Sequence, residues 1–139
     1  MRTANLLLLL SLVLAAPALA DDTAAVAPEY VVYYFHGQFR CETCLKIEAW
    51  TKAAVSEDFA REMKAGNLEW RVVNVQEEAN EHFAAEYKLA GQAVIVTEWK
   101  DGKVIRWHNV EAIWDHLETQ QGFADYVTGE VAAFLQPAS

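Results

Sequence analysis

The chain has 139 residues with 20 acidic and 11 basic side chains, a formal charge of −9 at pH 7. One domain fits that length, and so acidic a chain lacks the clustered Lys and Arg that neutralise nucleic-acid phosphates. With only two cysteines, a disulfide-dense scaffold is excluded as well.

Arg2 gives a short basic start, Leu6 to Leu14 is an almost unbroken apolar run, and Ala18-Leu19-Ala20 supplies small residues before Asp21. The apolar run is shorter than the roughly 20 residues a bilayer-spanning helix needs. Residues 1–20 therefore read as a signal peptide, cleaved to leave Asp21 first. No cysteine follows the cleavage point to accept a lipid, and no membrane span is expected after cleavage. The mature protein is expected in the periplasm or secreted.

Residues 21–29 are rich in Ala and acid and read as a flexible leader to a domain spanning 30–136. Tyr30 to Phe35 is a continuous β-branched and aromatic run, the pattern of a strand buried on both faces. Gly37 ends it, and a loop through Arg40 leads to Cys41. A helix is expected from Cys41, with Cys44, Leu45, Glu48 and Ala49 on one side and Ile47, Trp50 and Ala54 extending the apolar surface. Ser56, followed by Glu57 and Asp58, reads as the cap of a second helix running to Ala65 and stopped by Gly66-Asn67. Leu68 to Val75 reads as a strand. Asn80 is the expected cap of a third helix carrying Phe83, Ala84 and Tyr87 inward and ended by Gly91. Ala93 to Trp99 and Lys103 to His108 read as strands joined at Asp101-Gly102, a type I′ hairpin signal. A final amphipathic helix is expected from about Glu118 to Leu135.

The order β, α, α, β, α, β, β, α implies an α/β domain. Parallel strands joined through helices, plus a terminal hairpin, make a mixed sheet of about four strands flanked by helices. Trp50, Trp70, Trp99, Trp107 and Trp114 are expected as core and sheet-covering residues, and Glu98 with Arg106 as a cross-strand pair.

Cys41-Glu42-Thr43-Cys44 carries the chemistry. A bridge between cysteines three positions apart closes a very short loop and removes little entropy from the unfolded chain. The pair therefore suits reaction better than scaffolding. At a helix start, the free N–H groups and the macrodipole favour a thiolate on the first cysteine. The second, facing inward, can resolve a mixed disulfide. Arg40 is a candidate for lowering the Cys41 thiol pKa, opposed by Glu42. His36 is a candidate proton shuttle or metal ligand, or else a loop histidine hydrogen-bonded to backbone. Two alternatives stand beside the redox couple: a static disulfide, and a non-catalytic module that binds a soft ion such as Cu(I), or a partner, through the same loop.

From Tyr30 to Leu135 the chain resembles the thioredoxin superfamily. The strand Tyr30 to Phe35 running into Cys41-Glu42-Thr43-Cys44 carries the likeness. So does Tyr87-Lys88-Leu89-Ala90-Gly91 running into Ala93 to Trp99 and Lys100-Asp101-Gly102-Lys103. Phe35-His36-Gly37 and Arg40-Cys41 are similar to a small group of exported bacterial members, some labelled nitrophenyl-compound nitroreductase subunits. No flavin-site pattern accompanies that label here.

The resemblance implies a thioredoxin-like fold and a Cys41/Cys44 dithiol–disulfide couple acting on protein thiols, protein disulfides or a redox partner protein. It implies a monomer with no cofactor. Gln92 and Ala93 then fall where members contact substrate, but the cis-proline usual there is replaced by Ala93. A non-proline cis bond costs about 3 kcal/mol, so a trans bond is expected. Arg40 stands where Trp is usual, and the first strand offers no acid as a proton acceptor. Mass spectrometry of the exported protein is expected to find Asp21 at its N-terminus; an intact, membrane-retained Met1 would refute the signal-peptide reading.

Overall fold

A computed structural model describes residues 27–137; the signal peptide and most of the leader lie outside these described residues. Four strands form one mixed sheet in the order β2-β1-β3-β4. They are β1 (Tyr30–His36), β2 (Leu68–Asn74), β3 (Ala93–Lys100) and β4 (Lys103–Asn109). β1 pairs in parallel with β2 and antiparallel with β3, which forms a hairpin with β4. The helices are α1 (Glu42–Asp58), α2 (Ala60–Lys64), α3 (His82–Glu86) and α4 (Gln120–Leu135). This is the α/β arrangement of four strands expected from the element order, and the thioredoxin-like one that the resemblance implies.

The unbroken apolar run of β1 is explained by its neighbours. Val31 to Phe35 are all buried, and alternate residues serve opposite faces. Val32 and Tyr34 pack with Val94, Val96, Ile47, Val55, Phe123 and Val127, the layer of α1 and α4. Val31, Tyr33 and Phe35 pack with Ile95, Tyr87, Phe83 and Trp99, under the short α3. At the hairpin, Asp101 and Gly102 have φ of 52° and 74°, the two positive values a type I′ turn requires. Glu98 pairs with Arg106 at 2.6 Å as expected. Arg106 also donates to the Phe134 carbonyl at 2.7 Å, tying the hairpin to the C-terminal end of α4.

Several expectations are corrected. Ser56 does not begin a second helix, because α1 runs through it to Asp58. Nothing from Thr51 to Val55 breaks the ladder, and Val55 is held in the core. The break comes at Phe59 (φ −112°, ψ 28°), after which the short α2 follows. Asn80 does not cap α3. It sits in a 3₁₀ turn, Glu78–Asn80, and its amide donates back to the Asn74 carbonyl at 3.1 Å. Leu45 and Ala49 lie on the exposed side of α1, while Cys44, Ile47, Thr51, Ala54 and Val55 face inward. Trp107 and Trp114 are exposed rather than core residues. A 3₁₀ segment, Glu111–His116, precedes α4, whose true cap is Thr119, its hydroxyl accepting from Gly122 N at 3.1 Å.

Two helix ends make the same closure with different residues. After α2, the Gly66 N–H bonds Met63 O and the Asn67 N–H bonds Glu62 O, with Gly66 at φ 78°. After α3, the Lys88 N–H bonds Ala85 O and the Leu89 N–H bonds Ala84 O, with Lys88 at φ 52°. Both are Schellman endings, whose left-handed position suits glycine. Lys88 carries there a side chain that costs about 1 kcal/mol in this conformation. Gly91, the expected terminator, lies beyond the closure. Lys88→Gly should raise stability by about 1 kcal/mol, read as a higher urea midpoint at unchanged slope.

Candidate functional site

Cys41 is the N-cap of α1, in extended conformation (φ −73°, ψ 162°), and its sulfur accepts the Cys44 N–H at 3.1 Å. The two cysteines form a disulfide with Cα atoms 5.0 Å apart. Cys41 is half-buried, whereas Cys44 is 2% exposed on the inner side of the helix. A helix start, a half-buried sulfur and a buried one behind it follow from one turn of helix at the end of the central strand. Once the bridge is reduced, that N–H and the helix macrodipole both favour negative charge on Cys41.

The turn is fixed from below by Tyr34. Its hydroxyl donates to the Cys44 carbonyl at 2.8 Å, wholly buried. Burial pushes the phenol up to about 12, the nearby Arg40 guanidinium only partly opposing it. The hydroxyl therefore stays a donor through the neutral range. The loop before Cys41 is held by Gln76, whose side-chain oxygen accepts the Gln38 N–H at 2.6 Å. A Cβ on Gly37 would stand 3.0 Å from that same oxygen, so only glycine fits the approach without a shift.

His36 ends β1. Its Nδ1 lies 2.7 Å from the Gly37 carbonyl and its Nε2 3.2 Å from an Arg40 terminal nitrogen. With Nδ1–H donating to the carbonyl, Nε2 can offer its lone pair to the guanidinium, so both ring nitrogens have partners. Arg40 is further bound to Glu48 on α1, in a half-buried ion pair. Its Nε is buried with no partner. Arg40 therefore stands before Cys41 as one half of an ion pair, with Glu48 offsetting its charge. Among the described residues no group of three or more His, Cys, Asp or Glu is placed to hold a metal ion.

Gln92 stands across the loop, its amide 3.5 Å from the Phe39 carbonyl. Ala93 begins β3, is buried and pairs with Phe35. There is no cis peptide bond among the described residues. The structure therefore gathers Cys41, Cys44, Arg40 and His36 at one end of β1, with Gln92 against the same loop. Sequence reasoning missed Tyr34 and Glu48. Both have a spacing signal: Tyr34 is two residues before His36 on a strand, and Glu48 is one helical turn after Cys44.

No protein-family model matches the chain, and no curated protein matches it significantly. Among solved structures it is similar to a thioredoxin from Thermus thermophilus, at 17% identity over 77% of this chain and 75% of that one, with a TM-score of 0.43. It is also similar to a thioredoxin from Wuchereria bancrofti, at 20% identity over 83% and 85% of the two chains, with a TM-score of 0.42. A malarial protein matches at 13% identity over 72% of this chain and 94% of that one, with a TM-score of 0.41. Strand order, strand directions and the disulfide at the start of α1 define the fold as thioredoxin-like on their own.

If Glu48 offsets the Arg40 charge, removing its carboxylate must expose that charge to Cys41. Glu48→Gln should lower the Cys41 thiol pKa in the reduced protein. Thiolate absorbance against pH checks this, and an unchanged curve would show that the ion pair does not act on the sulfur.

Proposed function

We propose that the protein is an exported thiol–disulfide oxidoreductase, or an electron-passing redox subunit, working through Cys41 and Cys44. One observation carries the reading: Cys41 is the partly exposed N-cap sulfur, with Cys44 buried directly behind it. The short bridge adds little as a staple, while its position supplies what exchange chemistry needs. Export is supported by the Leu-rich segment and Ala18-Leu19-Ala20.

In the reducing direction, Cys41 thiolate attacks one sulfur of a partner disulfide. A Cys41–partner bond forms, the partner's S–S bond breaks, and one partner thiolate leaves. Cys44 then loses its proton and attacks the Cys41 sulfur. The intramolecular bridge forms, the second partner thiolate leaves, and two electrons have passed to the partner. The oxidising direction is the reverse sequence. Tyr34 keeps the Cys44 backbone in place through both steps.

Cys44→Ser should stop the sequence after its first step and accumulate a mixed disulfide through Cys41, visible on non-reducing gels of periplasmic extract. Cys41→Ser should leave none. Alkylation of the reduced wild-type protein should label Cys41 well before Cys44. Equal labelling, with no trapped adduct, would overturn the proposal.

A further inference from the structure

Against the loop that leads to Cys41 runs a groove of about 350 Å³ that no side chain of the described residues fills. One wall is the loop before Cys41, with Gly37 and Phe39; the other is built from the end of β2 and from α3 with its following turn. Phe39 is 80% exposed, the most exposed of the large apolar side chains. Burying a phenylalanine is worth roughly 1.5–3 kcal/mol, so a partner that covers this ring, two residues from Cys41, would gain by doing so. Leu45, next to Cys44 in α1, is 49% exposed as well.

The rim of this groove is acidic. Glu77, Glu78 and Glu81 are exposed on the turn that joins Gln76 to Ala84, both of which line the groove. Glu42, also exposed, follows Cys41 directly. None of the four takes part in an ion pair among the described residues. The cations nearby are Lys88, in the turn after α3, Lys46, one helical turn after Glu42, and Arg40, already bound to Glu48. A ligand crossing the groove therefore meets an apolar surface and, on the turn that follows β2, carboxylates with no ion-pair partner among the described residues.

Building on the redox reading above, we propose that the partner presents its cysteine on a cationic segment. A bulky apolar side chain beside the cysteine rests against Phe39, and Lys or Arg residues nearby face Glu77, Glu78 and Glu81. Charge complementarity of this kind acts mainly on encounter rate. It also disfavours anionic thiols and disulfides, which the rim repels.

The test uses the full mature protein carrying Cys44→Ser and short peptides whose single cysteine is disulfide-bonded to thionitrobenzoate. Cys41 thiolate attacks the peptide sulfur, the peptide–thionitrobenzoate bond breaks, and the coloured thionitrobenzoate thiolate is released as the Cys41–peptide bond forms. A Leu-Cys-Lys-Lys peptide should react about tenfold faster than Leu-Cys-Glu-Glu at low ionic strength. The gap should close when salt rises from about 10 mM to about 0.5 M. Replacing Glu77, Glu78 and Glu81 by Gln should remove most of the charge preference, and Phe39→Ala should remove the advantage of Leu over Gly beside the cysteine. Reduced wild-type protein must rank the peptides in the same order. Equal rates for the Lys and Glu peptides at low salt, or a preference that survives the triple substitution, would overturn the cationic partner and leave the redox reading standing. Failure of Cys41 to attack any of the peptides would instead overturn the redox reading.

Discussion

The hydrogen bond from the Tyr34 hydroxyl to the Cys44 carbonyl joins the molecule's structural centre to its chemistry. Tyr34 stands in β1, one of the two inner strands, with a partner on either side and a layer on each face. Cys44 closes the first turn of α1. A single buried donor therefore sets the height and rotation of that turn above the sheet, and with it the exposure of both sulfurs. A net contribution of about 1 kcal/mol is ordinary for such a bond. Its consequence here is mainly positional, because the neighbouring loop relies on weaker, partly exposed contacts such as those of Gln76 and Gln92.

Much of this architecture was legible because its determinants are local. An apolar run without alternation can only be comfortable between two layers, and β1 lies there. Asp101-Gly102 prescribes its turn by the φ values it tolerates, and the hairpin uses them. The readings that failed depended on tertiary competition. Ser56 has the chemistry of a cap, but a cap forms only where the ladder is interrupted, and burial of Val55 keeps α1 going. Asn80 could have capped α3, yet its amide reaches back to the Asn74 carbonyl at the end of β2. Lys88 gave no terminator signal because a lysine rarely accepts positive φ; the packing of the α3 turn imposes it.

The candidate site divides in the same way. The cysteine spacing and its place after a strand were readable, since they follow from adjacency along the chain. The electrostatic setting was not. Nothing adjacent in sequence joins Arg40 to Glu48, which α1 brings to it, whereas the backbone contact of His36, a loop histidine's ordinary partner, is the Gly37 carbonyl next to it. Both arrangements tie charge or lone pairs to groups other than the sulfurs. The reactivity of Cys41 is left chiefly to the helix start itself, a backbone effect that no single side chain controls.

The irregularity in the hairpin has its own bearing on how the molecule behaves at high concentration. β4 is an outer strand, and Ile105 and Trp107 on it are exposed. Such an edge invites a second strand to add to it. Between Glu98 and Trp99 on β3 the pairing jumps from Arg106 to Val104, so Ile105 is an extra residue on β4. A bulge of this kind bends the strand and increases its local twist. An incoming strand thus finds two short offset stretches in place of seven residues in one register, with exposed Lys103 adding charge at its start. The edge therefore works against fibre-like stacking while leaving the apolar side chains of Ile105 and Trp107 in view of solvent.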